Sequence, residues 1–217
     1  MKNFAIVGMG RFGKSMLERL MRRGSEVLVI DNDEQKIQWA RDRATRVIQA
    51  DAMDIDTLKE VLPDKLECAI IDTGRDHLER SILITNYLHK LGLGHIIVHA
   101  LSPSHAEILQ IVGATLSVFP EEEAAERLAG ILVGRGRLDY FPVSSNFSVM
   151  EVSVPKNWVG KSLLELDVRQ SQHVNVVALR DSRDEEGWRF PEPTYRFQPS
   201  DIVLLAGKTK DLERQSE

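Results

Sequence analysis

A glycine-rich segment near the start of the sequence has residue types and a spacing suited to binding phosphate. The segment is Gly8-Met9-Gly10-Arg11-Phe12-Gly13, which follows an apolar run and precedes an amphipathic stretch. Between a strand and a helix, the first glycine permits a tight turn, the second lets the backbone approach a pyrophosphate, and the third lets the helix pack close to the sheet. The unpaired N–H groups and partial positive charge at the start of that helix then attract phosphate. The segment therefore predicts a nucleotide site that includes Gly8, Gly10, Arg11, Phe12 and Gly13.

Acidic residues at the ends of the next expected strands agree with this interpretation. Asp31 follows Gly13 by 18 positions, near the spacing of about 20 at which an acid binds a ribose hydroxyl. The alternative role for Asp31 is a cap for the helix that begins near Glu34. Further nucleotide-binding residues are expected where the second, third and fourth strands end, at Asp33, Asp51, Ala52, Thr73 and Gly74.

The glycine segment also permits a P-loop interpretation. Residues 8–15 satisfy the pattern GxxxxGK[ST], and Ala69-Ile70-Ile71-Asp72 is similar to a Walker B strand. Phe12, however, is bulky where a loop that wraps phosphate prefers small residues, and Asp31 has the ribose-binding spacing. We therefore favour a Rossmann-type nucleotide site and keep a P-loop NTPase as the less favoured alternative.

Residues suited to acid–base catalysis are scattered rather than grouped. A dehydrogenase needs a proton donor within hydrogen-bonding reach of the reacting atom. The six histidines are dispersed, and Lys90 follows Tyr87 by three positions rather than the four of the short-chain dehydrogenase pair. His99 could lie at a strand end near the ligand, but we favour its interpretation as a polar residue that terminates the strand. We therefore expect a binding protein, with an NAD-dependent oxidoreductase as the alternative.

The elements that position these residues are short apolar runs that alternate with amphipathic stretches. Strands connected by helices in this way form a parallel sheet. The expected fold class is α/β, with a Rossmann-like doubly wound parallel sheet and a second, small α+β domain. The six expected strands of the sheet centre on residues 4–7, 27–30, 47–48, 69–71, 96–98 and 116–118.

A change of pattern near residues 137–145 predicts a domain boundary. Residues 134–137 interrupt a helical pattern with two glycines, and a strand-like alternation follows at residues 147–154. We therefore predict a nucleotide-binding Rossmann domain at residues 1–137 and a small regulatory α+β domain at residues 138–217. A unit of about 80 residues is near the lower limit for an independent core, so packing against a second copy would help it.

Composition and charge exclude several classes of protein. Hydrophobic residues make up 42% and charged residues 28% of the sequence, a balance typical of globular proteins. The net charge of -5 argues against a nucleic-acid partner. Since no apolar run approaches the roughly 20 residues that cross a bilayer, and no signal peptide is recognised, we expect a cytoplasmic protein. The single cysteine, Cys68, lies in an apolar run and is expected to be buried.

The segment that begins at Pro120 predicts an interface between copies of the chain. Its apolar residues spread over a wider face than one packed helix needs, which favours a homo-oligomer. The three acids Glu121, Glu122 and Glu123 lie at its start. Their carboxylates suit a hard divalent cation, but acids are also favoured in the first turn of any helix because of its dipole.

In this order, the motifs resemble the RCK (regulator of potassium conductance) family, also called KTN or TrkA-type, and specifically its single-repeat Ktr-like cytosolic subunits. The resemblance covers essentially the whole chain. In the first domain it rests on the glycine segment, Asp31-Asn32-Asp33, Ala50-Asp51-Ala52, Val112-Gly113-Ala114 and Phe119-Pro120-Glu121. In the second domain it rests on Val159-Gly160-Lys161-Ser162-Leu163, Val174-Asn175-Val176-Val177-Ala178 and the run from Asp201 to Gly207.

The resemblance implies a nucleotide-sensing regulatory subunit of a potassium uptake system, without catalytic activity. The implied ligands are ATP or ADP, with NAD or NADH as the second choice. The implied partners are a second copy, in a homodimer that assembles into a ring, and an integral-membrane potassium channel or transporter subunit at the inner face of the membrane. Glu121 takes the position of a ligand for a divalent cation, Mg or Ca, at the dimer interface. Asp72 departs from the family as an unusual acid at a strand end beside the nucleotide.

Overall fold

The structure, a computed structural model, describes residues 2–74, 77–133, 137–184 and 187–214. Of the glycine-containing break that the sequence predicts at residues 134–137, residues 134–136 lie outside these ranges. Within them, no helix is both long enough and apolar enough to cross a membrane. Internal contacts divide the chain into two units, Met1–Pro120 and Glu121–Glu217, which are described separately.

A six-stranded parallel sheet forms the centre of the first unit. The strands are β1 (Asn3–Val7), β2 (Glu26–Asp31), β3 (Arg46–Gln49), β4 (Cys68–Ile71), β5 (Ile96–His99) and β6 (Leu116–Val118). They lie in the order β3-β2-β1-β4-β5-β6, which is the Rossmann order. The predicted fold class is therefore confirmed for this unit. The order places the ends of β1, β2 and β4 side by side, although β4 comes much later in the chain.

Helices cover both faces of this sheet. They are α1 (Arg11–Arg22), α2 (Glu34–Ala40), α3 (Ile55–Val61), α4 (Leu78–Lys90) and α5 (Pro103–Ile111). Alternate residues of β1 point to opposite layers: Ile6 packs in the same core as Leu17 of α1, whereas Ala5 packs in the same core as Leu88 of α4. Because both faces are buried, the strands are nearly continuous apolar runs, as the sequence predicts.

The second unit is a small α+β fold with a four-stranded antiparallel sheet, as predicted. Its sheet has the order β7-β8-β10-β9, and its core includes the fully buried Trp158 and Phe197. The elements are α6 (Pro120–Val133), β7 (Arg137–Ser144), β8 (Phe147–Ser153), a 3-10 turn (Lys156–Trp158), α7 (Leu163–Leu166), α8 (Val168–Ser171), β9 (Val174–Asp181), β10 (Asp201–Lys208) and α9 (Thr209–Glu213).

Strand β7 lies where the sequence predicts a boundary segment. It contains Pro142, which cannot donate a ladder hydrogen bond and is tolerated because β7 is an edge strand. Helix α6 belongs with this strand: Arg127 pairs with Asp139, and Gly130 approaches the ring of Tyr140 so closely that a Cβ atom would lie 2.3 Å from it. The contacts thus divide the chain before α6, earlier than the predicted boundary after residue 137.

Candidate functional site

The three glycines of the loop between β1 and α1 are each required by a close approach of other atoms. Gly8 has φ +88°, and a Cβ atom there would lie 2.3 Å from the carbonyl oxygen of Asp72. A Cβ atom on Gly10 would lie 2.2 Å from Oδ2 of Asp72, and one on Gly13 would lie 2.7 Å from the carbonyl oxygen of Gly8. The loop therefore lies against the end of β4, and a side chain at Gly8 or Gly10 would push the two apart, whereas one at Gly13 would clash within the loop itself.

Asp31, at the end of β2, is hydrogen-bonded to the same loop. Its Oδ2 accepts from the N–H of Met9 at 2.6 Å, and its Oδ1 accepts from the N–H of Asp33 at 2.9 Å. The Nζ of Lys36 lies 3.4 Å from Oδ2, and the residue is only 6% exposed. The alternative role of Asp31 as a helix cap is wrong, because Asp33 caps α2 by accepting from the N–H groups of Gln35 and Lys36.

Asp72, directly after β4, holds the loop from the other side. Its Oδ2 accepts from the N–H of Gly13 at 2.8 Å, and its Oδ1 lies 3.0 Å from Nδ1 of His99. The ring of His99 in turn lies 5.6 Å from the ring of Phe12, between centroids. The sequence identifies Asp72 as an unusual acid and His99 as a strand end, but does not predict that they form a pair.

A pocket opens beside the loop, at the carboxyl ends of the strands. Five of the predicted nucleotide-binding residues line it: Gly8, Asp31, Asp51, Ala52 and Thr73. This is the edge at which ligands bind to open α/β sheets. The pocket is also lined by polar and apolar residues that the sequence analysis does not select: Asn32, Lys36, Met53, His77 and Arg80.

Two of these unpredicted residues, Lys36 and Arg80, share a position that could have revealed them. Each is the third residue of the helix that follows a strand, α2 after β2 and α4 after β4. A cation in the first turn of a helix is disfavoured by the helix dipole. A cation at this position beside a strand end therefore indicates that a negatively charged group, such as a carboxylate or a phosphate, is bound nearby.

The other predicted residues lie around the pocket rather than in its lining. Gly10 and Gly13 shape the loop, Phe12 packs toward His99, and Arg11 is an exposed first residue of α1. Gly74 has φ +84° in the segment after β4. That backbone conformation favours glycine.

Glu121 lies in the first turn of α6, in the second unit. Within the residues that the structure describes, no group of three or more His, Cys, Asp or Glu side chains could hold a metal ion. The predicted cation site at Glu121, with ligands from a second copy, stays a prediction.

The P-loop interpretation conflicts with the position of Lys14. In a P-loop, the lysine that follows the last glycine reaches the phosphates. Here the Nζ of Lys14 lies over the ring of Trp39, 4.8 Å from its centroid. The strand order is also that of a Rossmann fold. The site is thus a Rossmann-type loop that lies between the buried acids Asp31 and Asp72, with the cations Lys36 and Arg80 in the lining of the adjacent pocket.

Comparison with known families matches both parts of the chain. Residues 4–120 match the model of the TrkA-N domain, and residues 149–215 match the model of the TrkA-C domain. The Ktr system potassium uptake protein C of Bacillus subtilis (strain 168) is 32% identical over 98% of this chain and 95% of its own length. The Ktr system potassium uptake protein A of the same organism is 30% identical over the same shares.

Solved structures with the same fold include RCK domains. The RCK domain of GsuK has a TM-score of 0.68 and 17% identity, over 99% of this chain and 47% of that one. A GsuK channel bound to NAD has a TM-score of 0.67 and 16% identity, over 97% of this chain and 38% of that one. GsuK bound to ADP has a TM-score of 0.52 and 23% identity, over 61% and 34%. At these identities the likeness shows the fold.

Proposed function

Since this chain belongs to the TrkA family, with a TrkA-N domain followed by a TrkA-C domain, we propose that it is a nucleotide-sensing regulatory subunit of a potassium uptake system. The observation that carries the proposal is the glycine loop held between Asp31 and Asp72 beside an open pocket. It occurs in a chain that is 32% identical, over almost its whole length, to a Ktr potassium uptake protein. The family regulates potassium transport and is not catalytic.

We propose ATP or ADP as the physiological ligand, with NAD or NADH as the second candidate. Support comes from the acid at the end of β2 beside a pocket and from the unpaired N–H groups that begin α1. Channels of the same fold have been solved with NAD and with ADP. Gly8, Asp31, Asp51, Ala52 and Thr73 would surround the ligand, and Arg11 would reach its terminal phosphate.

The proposed mechanism is a shift between conformations of an assembly. A ligand shifts such an equilibrium only by its differential affinity for the two states. ATP and ADP differ in one phosphate, so a residue that contacts this phosphate supplies the difference. Arg11 is exposed at the start of α1 and has the planar fork that suits phosphate oxygens. We propose that it makes this contact, in its own subunit or across a dimer.

The proposed partners are a second copy of the chain and an integral-membrane potassium channel or transporter subunit. The homodimer would assemble into a ring that docks on the inner face of the membrane through the pore protein, so that the chain is cytoplasmic and peripheral. Helix α6 supports an interface between copies, because none of its described residues is buried in the single chain. A net charge of -5 gives no support to a nucleic-acid partner.

We also propose a divalent cation, Mg or Ca, at a dimer interface. Glu121 would be its ligand, with carboxylates from a second copy. Titration of the assembled protein with Mg²⁺ or Ca²⁺ tests this idea. Loss of cation binding in Glu121→Gln but not in Glu122→Gln would support it. Equal binding by both variants would mean that these acids interact only with the helix dipole and do not bind a cation.

Calorimetry with ATP, ADP, NAD and NADH tests the proposed function. We expect micromolar binding of at least one of the adenine nucleotides, without hydride transfer to or from a panel of alcohols and hydroxy acids. Turnover of any of these substrates would favour the oxidoreductase, and steady ATP hydrolysis would favour the P-loop NTPase. Potassium flux in liposomes that contain the pore partner should respond to ATP and ADP only when this chain is added.

A further inference from the structure

Lys36 lies beside Asp31 in the lining of the pocket, although the sequence analysis does not select it. The Nζ of Lys36 is 3.4 Å from Oδ2 of Asp31, which is longer than the roughly 2.7–3.2 Å typical of an N–H···O hydrogen bond. The side chain of Lys36 is 38% exposed, whereas that of Asp31 is buried. The ammonium group is therefore in loose contact with the acid and is accessible to a ligand.

The backbone of Lys36 is fixed to the same acid through Asp33. Oδ1 of Asp31 accepts from the N–H of Asp33 at 2.9 Å. The carboxylate of Asp33 in turn caps α2, where it accepts from the N–H groups of Gln35 and Lys36 at 2.8 and 3.2 Å. Asp31 and the first turn of α2 therefore form one hydrogen-bonded unit. The side chain of Lys36 begins at a fixed position beside the acid.

Asp31 alone cannot satisfy both atoms of a ribose hydroxyl group. An ionised carboxylate only accepts hydrogen bonds, so it binds the hydroxyl hydrogen and leaves the hydroxyl oxygen without a donor. An ammonium group has three N–H donors and no acceptor. Within the described part of the chain, the polar contact of the Lys36 ammonium group is with Asp31. Its other N–H groups are thus available to a hydroxyl oxygen beside that acid.

We propose that Lys36 donates to the 2′-hydroxyl oxygen of the adenine nucleotide while Asp31 accepts the hydrogen of the same hydroxyl group. This inference rests on the proposed function, because it concerns the same pocket. The acid at the end of the second strand of a Rossmann fold is the one that binds the 2′-hydroxyl group, and Lys36 is the cation in contact with that acid. The pair selects ribonucleotides against 2′-deoxyribonucleotides.

The same geometry disfavours a ribose that carries a 2′-phosphate. In Rossmann folds that bind such a phosphate, a cation near this strand end accommodates it. Here the cation is accompanied by a buried carboxylate, whose oxygens accept from the N–H groups of Met9 and Asp33 at 2.6 and 2.9 Å. Asp31 cannot turn away without leaving those N–H groups unpaired, and its charge would repel the phosphate. An unmodified hydroxyl group is therefore the one that fits the pair.

The other unpredicted cation of the pocket, Arg80, does not replace Lys36 beside Asp31. Arg80 lies at the start of α4, which follows β4, whereas Lys36 lies at the start of α2, which follows β2. Strand β1 separates β2 from β4 in the sheet. Among the described residues, the cation that forms an ion pair with Asp31 is Lys36. A substitution at residue 36 therefore removes this cation and leaves Arg80 in place.

The experiment is calorimetric titration of the full chain with ADP, 2′-deoxy-ADP and 3′-deoxy-ADP. The variant is Lys36→Met, which keeps a long unbranched side chain and removes the N–H donors. Lys59→Met, at an exposed lysine of α3 in the same unit, is the matched control. The 3′-deoxy compound is the matched ligand, because it retains the 2′-hydroxyl group. Loss of the charge beside Asp31 affects all three nucleotides, so it cancels in the ratios of their dissociation constants.

In wild type and Lys59→Met, we expect 2′-deoxy-ADP to bind roughly 10- to 100-fold more weakly than ADP, because charge-assisted hydrogen bonds are lost. In Lys36→Met this ratio should fall about tenfold, while the ratio for 3′-deoxy-ADP should stay as in wild type. An unchanged 2′-deoxy ratio in Lys36→Met would make the lysine a purely structural partner of Asp31, and the inference would be wrong although the proposed function stands. If wild type binds no adenine nucleotide, the proposed function itself fails.

Adenosine 2′,5′-bisphosphate tests whether Lys36 binds a phosphate rather than a hydroxyl group. In competition with ADP, we expect it to bind wild type more weakly than AMP does, because of the charge of Asp31. If it binds more tightly than AMP, and Lys36→Met removes the difference, then Lys36 binds a phosphorylated ribose and the inference is overturned. A melting temperature for each variant separates lost binding from lost folding.

Discussion

The N–H of Met9 lies 2.6 Å from Oδ2 of Asp31, so the acid at the end of β2 is part of the turn that follows β1. The other carboxylate oxygen of Asp31, Oδ1, accepts a hydrogen bond from the N–H of Asp33, which is the N-cap of α2. Asp31 is therefore a structural link between the glycine loop and the next helix, in addition to its proposed role as a ligand of ribose. A change at this residue should affect both folding and binding.

Asp31→Ala should weaken nucleotide binding by roughly 1.5–3 kcal/mol, because a charge-assisted hydrogen bond to the ligand is lost. It should also lower the free energy of unfolding by about 1–3 kcal/mol, because the buried N–H of Met9 loses its acceptor. Calorimetry and urea unfolding measure the two effects. Asp33→Ala is the control: it removes the cap of α2, at a cost of about 1 kcal/mol, without touching Met9. Unchanged affinity in Asp31→Ala would leave the residue a purely structural role.

Gly10→Ala should abolish tight nucleotide binding. The added Cβ atom would lie 2.2 Å from Oδ2 of Asp72, so the carboxylate must move and its bonds to Gly13 and His99 are lost. Binding is measured by calorimetry and folding by thermal melting. Gly94→Ala is the control in the same unit, because no heavy atom of the described residues, its chain neighbours apart, lies within 4 Å of its Cβ position. The double variant Gly10→Ala with Asp72→Ala should regain part of the stability, and failure to do so would place the clash elsewhere.

Arg11→Ala should weaken ATP binding much more than ADP binding, by about 1.5–3 kcal/mol for a charged hydrogen bond to the terminal phosphate. It should also reduce the control of potassium flux by nucleotides in liposomes that contain the pore partner. Arg19→Ala, at the other end of α1, is the control. An equal loss for both nucleotides would make Arg11 a general phosphate contact, and the switch would then lie at another residue.

The chain should form homo-oligomers without its membrane partner. On α6, Leu128 is 55% and Leu132 is 75% exposed in the single chain, and apolar side chains grouped on a helix favour burial against another copy. Light scattering should show species heavier than 24.5 kDa, and Leu128→Asp with Leu132→Asp should dissociate them. Leu164→Asp, at another exposed leucine, should not. A 24.5 kDa species alone at micromolar concentration would contradict the ring.

Cys68 should be unreactive in the folded protein. Burial raises the pKa of its thiol to about 11, and the thiolate is the reactive form. A disulfide reagent at pH 8 should therefore label the chain only as fast as it unfolds. Because the folded pKa lies above the ordinary value of 9.0, stability should fall as the pH rises from about 9 to 11. Cys68→Ala should lose that part of the pH dependence, and rapid labelling of the native protein would contradict the buried position.

Local patterns in the sequence are sufficient to predict the parallel sheet and the glycine loop. The strands are continuous apolar runs, and the loop has three glycines at a diagnostic spacing, so both can be predicted from neighbouring residues. The bond between Asp72 and Gly13 joins residues 59 positions apart, and no local pattern encodes it. Strand β7 was missed because Pro142 and its edge position weaken the strand signal. Lys36 and Arg80 were missed because single cations are common on helix surfaces.

The position of β4 beside β1 determines when the site is complete during synthesis. The ribosome releases the glycine loop and Asp31 early, but the opposite wall of the loop consists of Asp72 and His99, which emerge later. A nascent chain that ends before Asp72 can contact the loop only through Asp31, so the nucleotide-binding site is incomplete. Because a ligand stabilises only the state that binds it, nucleotide in the cell cannot assist the first strands to fold. It can act only on a domain whose central strands are already assembled.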